Sequence, residues 1–187
     1  ELPFLFSTAA DADAVMDSLF FAEMRPLHDA RGLIFAAWSE NGWRSLATKG
    51  TAVRKPEDLN NLTMRAQDST VHVEMFTAFG AKVVSKPVSA LADALKAREI
   101  DGLDGTALYL QAGGLAESID YFTLTQHIYQ PAAIVISKRW YDRLPPELQT
   151  VVSSVQEAGV ESRTAIRAEE KAMLDNFDLF GVSVVEL

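Results

Sequence analysis

The stretch "LTMRAQDSTVHVEMFTAFGAKVVSK", Leu62 to Lys86, decides how this chain is read. Leu62, Met64 and Ala66 stand in a short apolar run of strand length, and Asp68 or Ser69 is placed to cap a helix that runs to Phe79. Gly80 closes that helix, and "AKVVSK" (81–86) reads as a second strand. Strand, helix and strand in quick succession predict a parallel or mixed sheet covered by helices. Arg65 is the oddity, a cation that cannot lose its charge, set at the end of a strand just before a helix begins.

The same alternation extends in both directions. Residues 11–31 carry apolar positions at helical spacing, with Pro26 expected to kink or split the helix and Gly32 to end it. "LIFAAWS" (33–39) reads as a strand, Asn41-Gly42 as a turn, and "WRSLAT" (43–48) as the next strand. "KPEDLNN" (55–61) is a helical turn opened by Pro56, and "SALADALKAR" (89–98) a helix capped by Ser89. A glycine-rich loop, "DGLDG" (101–105), follows; 106–117 reads as helix, and "YFTLTQHIY" and "AAIVISK" as two further strands. After Pro145-Pro146, one helix is expected to Phe177, about 45 Å at 1.5 Å per residue, and Gly181 releases a last strand.

Composition narrows the function. With 187 residues, 48% hydrophobic and 23% charged, the chain is globular in character. A net charge of −9 argues against nucleic acid and anionic membrane surfaces as partners, because both require a basic face. Cysteine is absent, which excludes thiol nucleophiles and thiolate metal sites. No run of about 18 apolar residues offers a membrane span, so no direct membrane insertion is expected. The opening "ELPFLF" begins without a start signal, as if something preceded it.

Candidate chemistry is sparse. His28, His72 and His127 lack the spacing of a zinc site and read as surface or structural residues; no metal and no cofactor is expected. Asp101 and Asp104 could do acid–base work, but a turn whose glycines take positive φ accounts for the same residues. Arg65 is the better lead. Ligands in open α/β sheets gather beyond the carboxyl ends of strands, and an arginine there matches a carboxylate in two parallel hydrogen bonds. Arg44 could bring a second cation to the same region. A salt bridge to one of the chain's many carboxylates is the alternative for Arg65.

Taken in order, "GWRSLATKGTAVRKPEDLNNLTMRAQDS", "FGAKVVSKPVS", "IDGLDG", "YFTLTQHIY" and "WYDRLPPELQTVV" resemble the periplasmic solute-binding subunits of TRAP transporters, the DctP family. The resemblance implies an α/β, two-lobed, periplasmic-binding-protein-like fold, with mixed sheets flanked by helices, a long C-terminal helix across both lobes and an incomplete first lobe. It divides the chain into 1–42, the remainder of lobe 1 with a hinge; 43–125, lobe 2; 126–145, the return to lobe 1; and 146–187, the long helix and final strand. It also implies a non-enzymatic, periplasmic receptor that binds a small organic acid and delivers it to TRAP membrane permease subunits. Arg65 would hold the carboxylate and Arg44 would be a secondary contact. Where relatives carry Asp-Gly-Gln-Glu-Asn this chain has Asp101-Gly102-Leu103-Asp104-Gly105, so the asparagine side chain is missing at Gly105, with Asp104 or Tyr109 as substitutes. The extra aspartate would suit a ligand carrying an amine or hydroxyl. The rival reading is a ligand-sensing effector domain of a cytoplasmic regulator; a hydrolase or lyase using Asp101 and Asp104 is a third.

Overall fold

A computed structural model describes all 187 residues. In chain order the elements are α1 (Ala9–Val15), α2 (Phe21–Asp29), β1 (Leu33–Thr48), β2 (Thr63–Ala66), α3 (Thr70–Ala78), β3 (Lys82–Ser85), α4 (Leu91–Lys96), β4 (Gly102–Gly105), α5 (Ala107–Ala112), β5 (Tyr121–Ser137), α6 (Lys138–Tyr141), α7 (Pro146–Ser153), α8 (Val155–Asp175) and β6 (Ser183–Val185). The expected class is borne out: one mixed sheet of order β3-β2-β4-β1-β5-β6, flanked by helices. The chain forms two compact units. The first comprises Glu1–Phe4, Trp43–Ile128 and Glu170–Leu187, the second Leu5–Gly42 and Tyr129–Glu169.

In the first unit β2 runs parallel to both β3 and β4, while β4 is antiparallel to β1. Strand alternation sorts its side chains onto two faces. Met64 and Ala66 join Leu46, Leu59 and Phe76 in one buried cluster. Leu103 joins Ala47, Leu91, Leu95, Leu110, Phe122 and Phe177 in the other. Arg65, between Met64 and Ala66 and in register with Leu103, turns to the second face. The strand–helix–strand reading of 62–86 holds, and Ser69 occupies the N-cap position of α3 with extended backbone but without a side-chain cap bond.

Several local expectations fail for identifiable reasons. "GLDG" is a fully buried strand and not a loop, and neither Gly102 nor Gly105 has positive φ. Glycine is required at 102 for close approach instead: a Cβ there would lie 2.5 Å from the Ala47 carbonyl oxygen and 2.9 Å from Thr48 Cγ2. Asn41-Gly42 is not a reversal, because Gly42 at φ +97 bends β1 without ending it. The two strands expected within 121–138 are likewise one, running through Pro131. Ser89 lies inside a short 3-10 turn, Val88–Ala90, and caps nothing.

In the second unit Pro26 sits inside α2 without breaking it. The irregularity lies upstream, where Met16–Phe20 form a π turn and the Phe21 N–H reaches back to Met16 O. The C-terminal helix is also two pieces, α7 and α8, parted at Ser154, whose hydroxyl donates to the Val151 carbonyl. A serine that bonds its own backbone offers the chain an alternative to the helix. The 21-residue α8 is the long helix.

Candidate functional site

Because β2 and β4 are parallel, they end at the same edge of the sheet, and α3 and α5 start there. Gly105 pairs with Ser45, which brings Arg44 of β1 to that edge. The Gln126 N–H donates to Ser45 Oγ at 3.1 Å and brings the neighbouring His127 there as well. Five residues far apart in sequence thus meet within one unit: Arg44, Arg65, His72, Asp104 and His127.

Asp104 is the centre of this group and is fully buried. Its Oδ2 accepts from Arg44 Nε at 2.6 Å, and its backbone carbonyl accepts from Arg44 Nη2 at 3.0 Å. His127 Nε2 lies 3.4 Å from the same Oδ2, while its Nδ1 shares a hydrogen bond with Thr125 Oγ1 at 2.7 Å. A carboxylate can only accept, so His127 presents an N–H from Nε2 to Asp104, while the Thr125 hydroxyl can donate to or accept from Nδ1. His72 Nδ1 approaches Oδ2 to 3.7 Å, and its Nε2 lies 2.9 Å from Gln67 Nε2 and 3.4 Å from Glu1 Oε2. Burial alone would raise the Asp104 pKa, but the hydrogen bonds from His127 and Arg44 and their charge hold it well below the usual carboxylate range. Asp104 is therefore a fixed anion at neutral pH, and Arg44 is its counter-ion. The other carboxylate oxygen, Oδ1, has no protein partner, nor does His72 Nδ1.

Arg65 is arranged differently. It is 7% exposed, yet it makes no ion pair, and its Nε donates to the Lys86 carbonyl at 3.1 Å. The terminal nitrogens of the fork meet no carboxylate. Burial lowers its pKa; Tyr109 and Asp104 favour its charge and Arg44 opposes it. A guanidinium remains charged regardless. Tyr109 projects from α5, whose N-cap Thr106 accepts from the Tyr109 N–H at 3.1 Å. Its hydroxyl is buried without a partner. Gly105 makes room for the ring, since a Cβ there would lie 3.0 Å from Tyr109 Cδ1.

All five residues singled out from the sequence, Arg44, Arg65, Asp104, Gly105 and Tyr109, therefore lie at one sheet edge, and the salt bridge considered for Arg65 is made by Arg44. His72 and His127, read from the sequence as surface or structural, both belong to the Asp104 cluster. No spacing rule could have joined them, because they come from a helix and a distant strand. No group of three or more histidine or carboxylate side chains has a metal-binding arrangement. A cavity of about 200 Å³ is walled mostly by apolar side chains such as Phe4, Leu46, Val53 and Phe79, with Arg54, Lys55 and His127 also on its lining.

Residues 1–187 match the DctP family, described as bacterial extracellular solute-binding protein, family 7. The 2,3-diketo-L-gulonate-binding periplasmic protein YiaO of Escherichia coli is 31% identical over 99% of this chain and 57% of its own length. A TRAP periplasmic solute-binding protein from Ochrobactrum anthropi, crystallised with its C-terminus in its ligand-binding pocket, superposes with a TM-score of 0.85 at 34% identity, covering 100% of this chain and 59% of that one. One from Xanthobacter autotrophicus, with bound β-D-galacturonate, gives 0.84 at 30% identity over 99% and 62%. The chain thus spans about three fifths of the length of these relatives. No helix is long and apolar enough to cross a membrane.

Proposed function

We propose, from the premise that this chain belongs to family 7 of the bacterial extracellular solute-binding proteins, that it is part of a TRAP receptor which binds a small organic acid by its carboxylate. The single observation that carries this is Arg65: a side chain only 7% exposed, bonded to the protein through Nε, whose terminal nitrogens meet no protein carboxylate. Proteins rarely leave a desolvated cation uncompensated, because the penalty is several kcal/mol in effect. A ligand carboxylate accepting two parallel hydrogen bonds supplies the missing charge. Arg44, held by Asp104, shapes the wall beside it and is the secondary contact; Gly105 and Tyr109 complete that wall.

On this reading the protein binds and releases its solute without turning it over, in the periplasm, and passes it to the membrane permease subunits of the transporter. Residues 43–125 are the core of its second lobe; 1–42 and 126–145 belong to the first, and 146–187 join the two. The compact unit built around Trp43–Ile128 supports that division. The sugar acids bound by YiaO and by the Xanthobacter protein make D-galacturonate a sensible first probe. Titration calorimetry with D-galacturonate tests the reading. Arg65→Ala should weaken binding about 100-fold or more, a few kcal/mol, as expected when one partner of a charge-assisted pair is lost. Unchanged affinity in that variant would remove Arg65 from the site.

A further inference from the structure

The chain passes between its two compact units four times, at Phe4–Leu5, Gly42–Trp43, Ile128–Tyr129 and Glu169–Glu170. Three of these crossings start beside a residue of one cluster in the second unit. Glu40 stands two residues before the crossing in β1, Tyr129 is the first residue past the crossing in β5, and Arg167 stands two residues before the crossing in α8. The three side chains meet. The Tyr129 hydroxyl donates to Glu40 Oε2 at 2.7 Å, and Arg167 Nε donates to Glu40 Oε1 at 3.1 Å and to Oε2 at 3.0 Å. Glu40 and Tyr129 are both buried, so water does not compete for their bond. Phe6, just past the remaining crossing, sets its ring edge-on to Tyr129 with centroids 6.0 Å apart.

We infer that Glu40, Tyr129 and Arg167 form a clamp that fastens the crossing segments to one another at the border of the second unit, so that they bend together and not one by one. The backbone itself shows where bending falls. Phe4, Gly42 and Gln126 take left-handed φ of 57, 97 and 43, each at a crossing or two residues from one, and none of them belongs to the clamp. Residues other than glycine adopt that conformation rarely and at a cost, and a hinge is a few such positions that absorb the change in φ and ψ. Fastening matters to a protein that rearranges around a solute. Crossings that bend independently multiply the arrangements in which the chain cannot bind, and apparent affinity falls with the competent fraction. The clamp is independent of Arg65 and of which solute is bound.

Hydrogen exchange read by mass spectrometry on the full chain, at neutral pH and without ligand, tests this. Tyr129→Phe, which removes the hydroxyl and keeps the ring, should speed exchange about fivefold in all three crossing segments, 40–44, 127–131 and 166–171, as expected for one lost hydrogen bond. Arg167→Met, which removes charge-assisted bonds to Glu40 and to Asp13, should speed it about thirtyfold or more in the same three. Asp17→Asn is the control. It weakens the pair with Arg163 without touching Glu40, Tyr129 or Arg167, and should leave all three segments within about twofold of the parent. Faster exchange confined to the substituted segment would overturn the clamp. A rise of equal size in α2 would overturn it too, because that marks general loosening of the unit. Should Arg167→Met fail to fold, Tyr129→Phe decides by the same two criteria.

Discussion

Replacing Arg65 by methionine should make the ligand-free protein more stable while destroying its affinity for acids. Arg65 is 7% exposed, and its side chain makes one hydrogen bond, from Nε to Lys86 O at 3.1 Å. Losing that bond costs about 1–2 kcal/mol. Against it stands the relief of a desolvated cation with no carboxylate partner, worth several kcal/mol in effect, reduced by whatever solvation the fork retains. The balance favours Arg65→Met by about 1–2 kcal/mol, which raises the melting temperature of a chain of this size by between about 2 and 8 °C. Urea and thermal unfolding without ligand measure the gain, and calorimetry measures the lost affinity. A structural ion pair behaves oppositely, since removal of one buried partner destabilises by about 3–5 kcal/mol. A loss of that size in Arg65→Met would refute the assignment of Arg65 as an uncompensated cation.

Arg44→Met should show that opposite behaviour, losing about 3–5 kcal/mol in urea unfolding because it strands Asp104 as a buried anion; a neutral result would show that Asp104 is compensated elsewhere. The pH dependence follows from the depressed Asp104 pKa. Its contribution is complete above the unfolded value of about 3.9 and is lost as pH falls from there toward the lower folded value, so urea midpoints should drop below about pH 4 and drop less in Asp104→Asn. Identical slopes would discount the group. In α8, Gly159→Ala should destabilise by about 1–3 kcal/mol, although alanine is ordinarily the better helix former by about 1 kcal/mol, because the new Cβ would lie 2.6 Å from Trp38 O and 2.7 Å from Ala37 Cβ. A higher melting temperature would mean that the backbone yields there.

The β2–α3–β3 stretch was legible because three local signals agree: an apolar run of strand length, a polar cap, and a closing glycine at φ +82. β4 was not, since glycine serves two unrelated needs. Gly102 exists to let the Ala47 backbone approach, and sequence offers no way to tell that from a turn. The breaks read into β1 and β5 misled because Gly42, at positive φ, and Pro131 both sit inside strands without ending them. Ser154 interrupts the last helix with neither glycine nor proline to announce it. Among the site residues, Arg65 could be found from its place at a strand end before a helix. The bond that commits Arg44 to Asp104, and the approach of His72 and His127 to the same carboxylate, depend on strand register and are invisible until the sheet is assembled.

The second unit holds a comparable set of charges, with Arg163 and Glu40 buried and their charged partners partly exposed, and it contrasts with the sheet edge. There Arg163 donates to both oxygens of Asp17, at 2.9 and 2.6 Å. Arg167 grips both oxygens of Asp13, at 2.7 and 2.8 Å, and donates from Nε to Glu40, while the Tyr129 hydroxyl donates to Glu40 at 2.7 Å. Each guanidinium meets a carboxylate in two parallel bonds, the geometry in which Coulomb attraction best offsets desolvation. The Tyr129 pKa rises with burial and with the Glu40 carboxylate it serves, so the hydroxyl stays protonated and available as a donor. With its forks filled, that network ties α8 to α1 and β1 and offers a solute no free cation. At the sheet edge Arg65 keeps its fork, Tyr109 its hydroxyl and Asp104 one oxygen without protein partners, in the same chain and under the same pressure to satisfy buried polar groups. The carboxylates that fill the Arg163 and Arg167 forks have no counterpart at the Arg65 fork, and that contrast is what the proposed carboxylate site rests on.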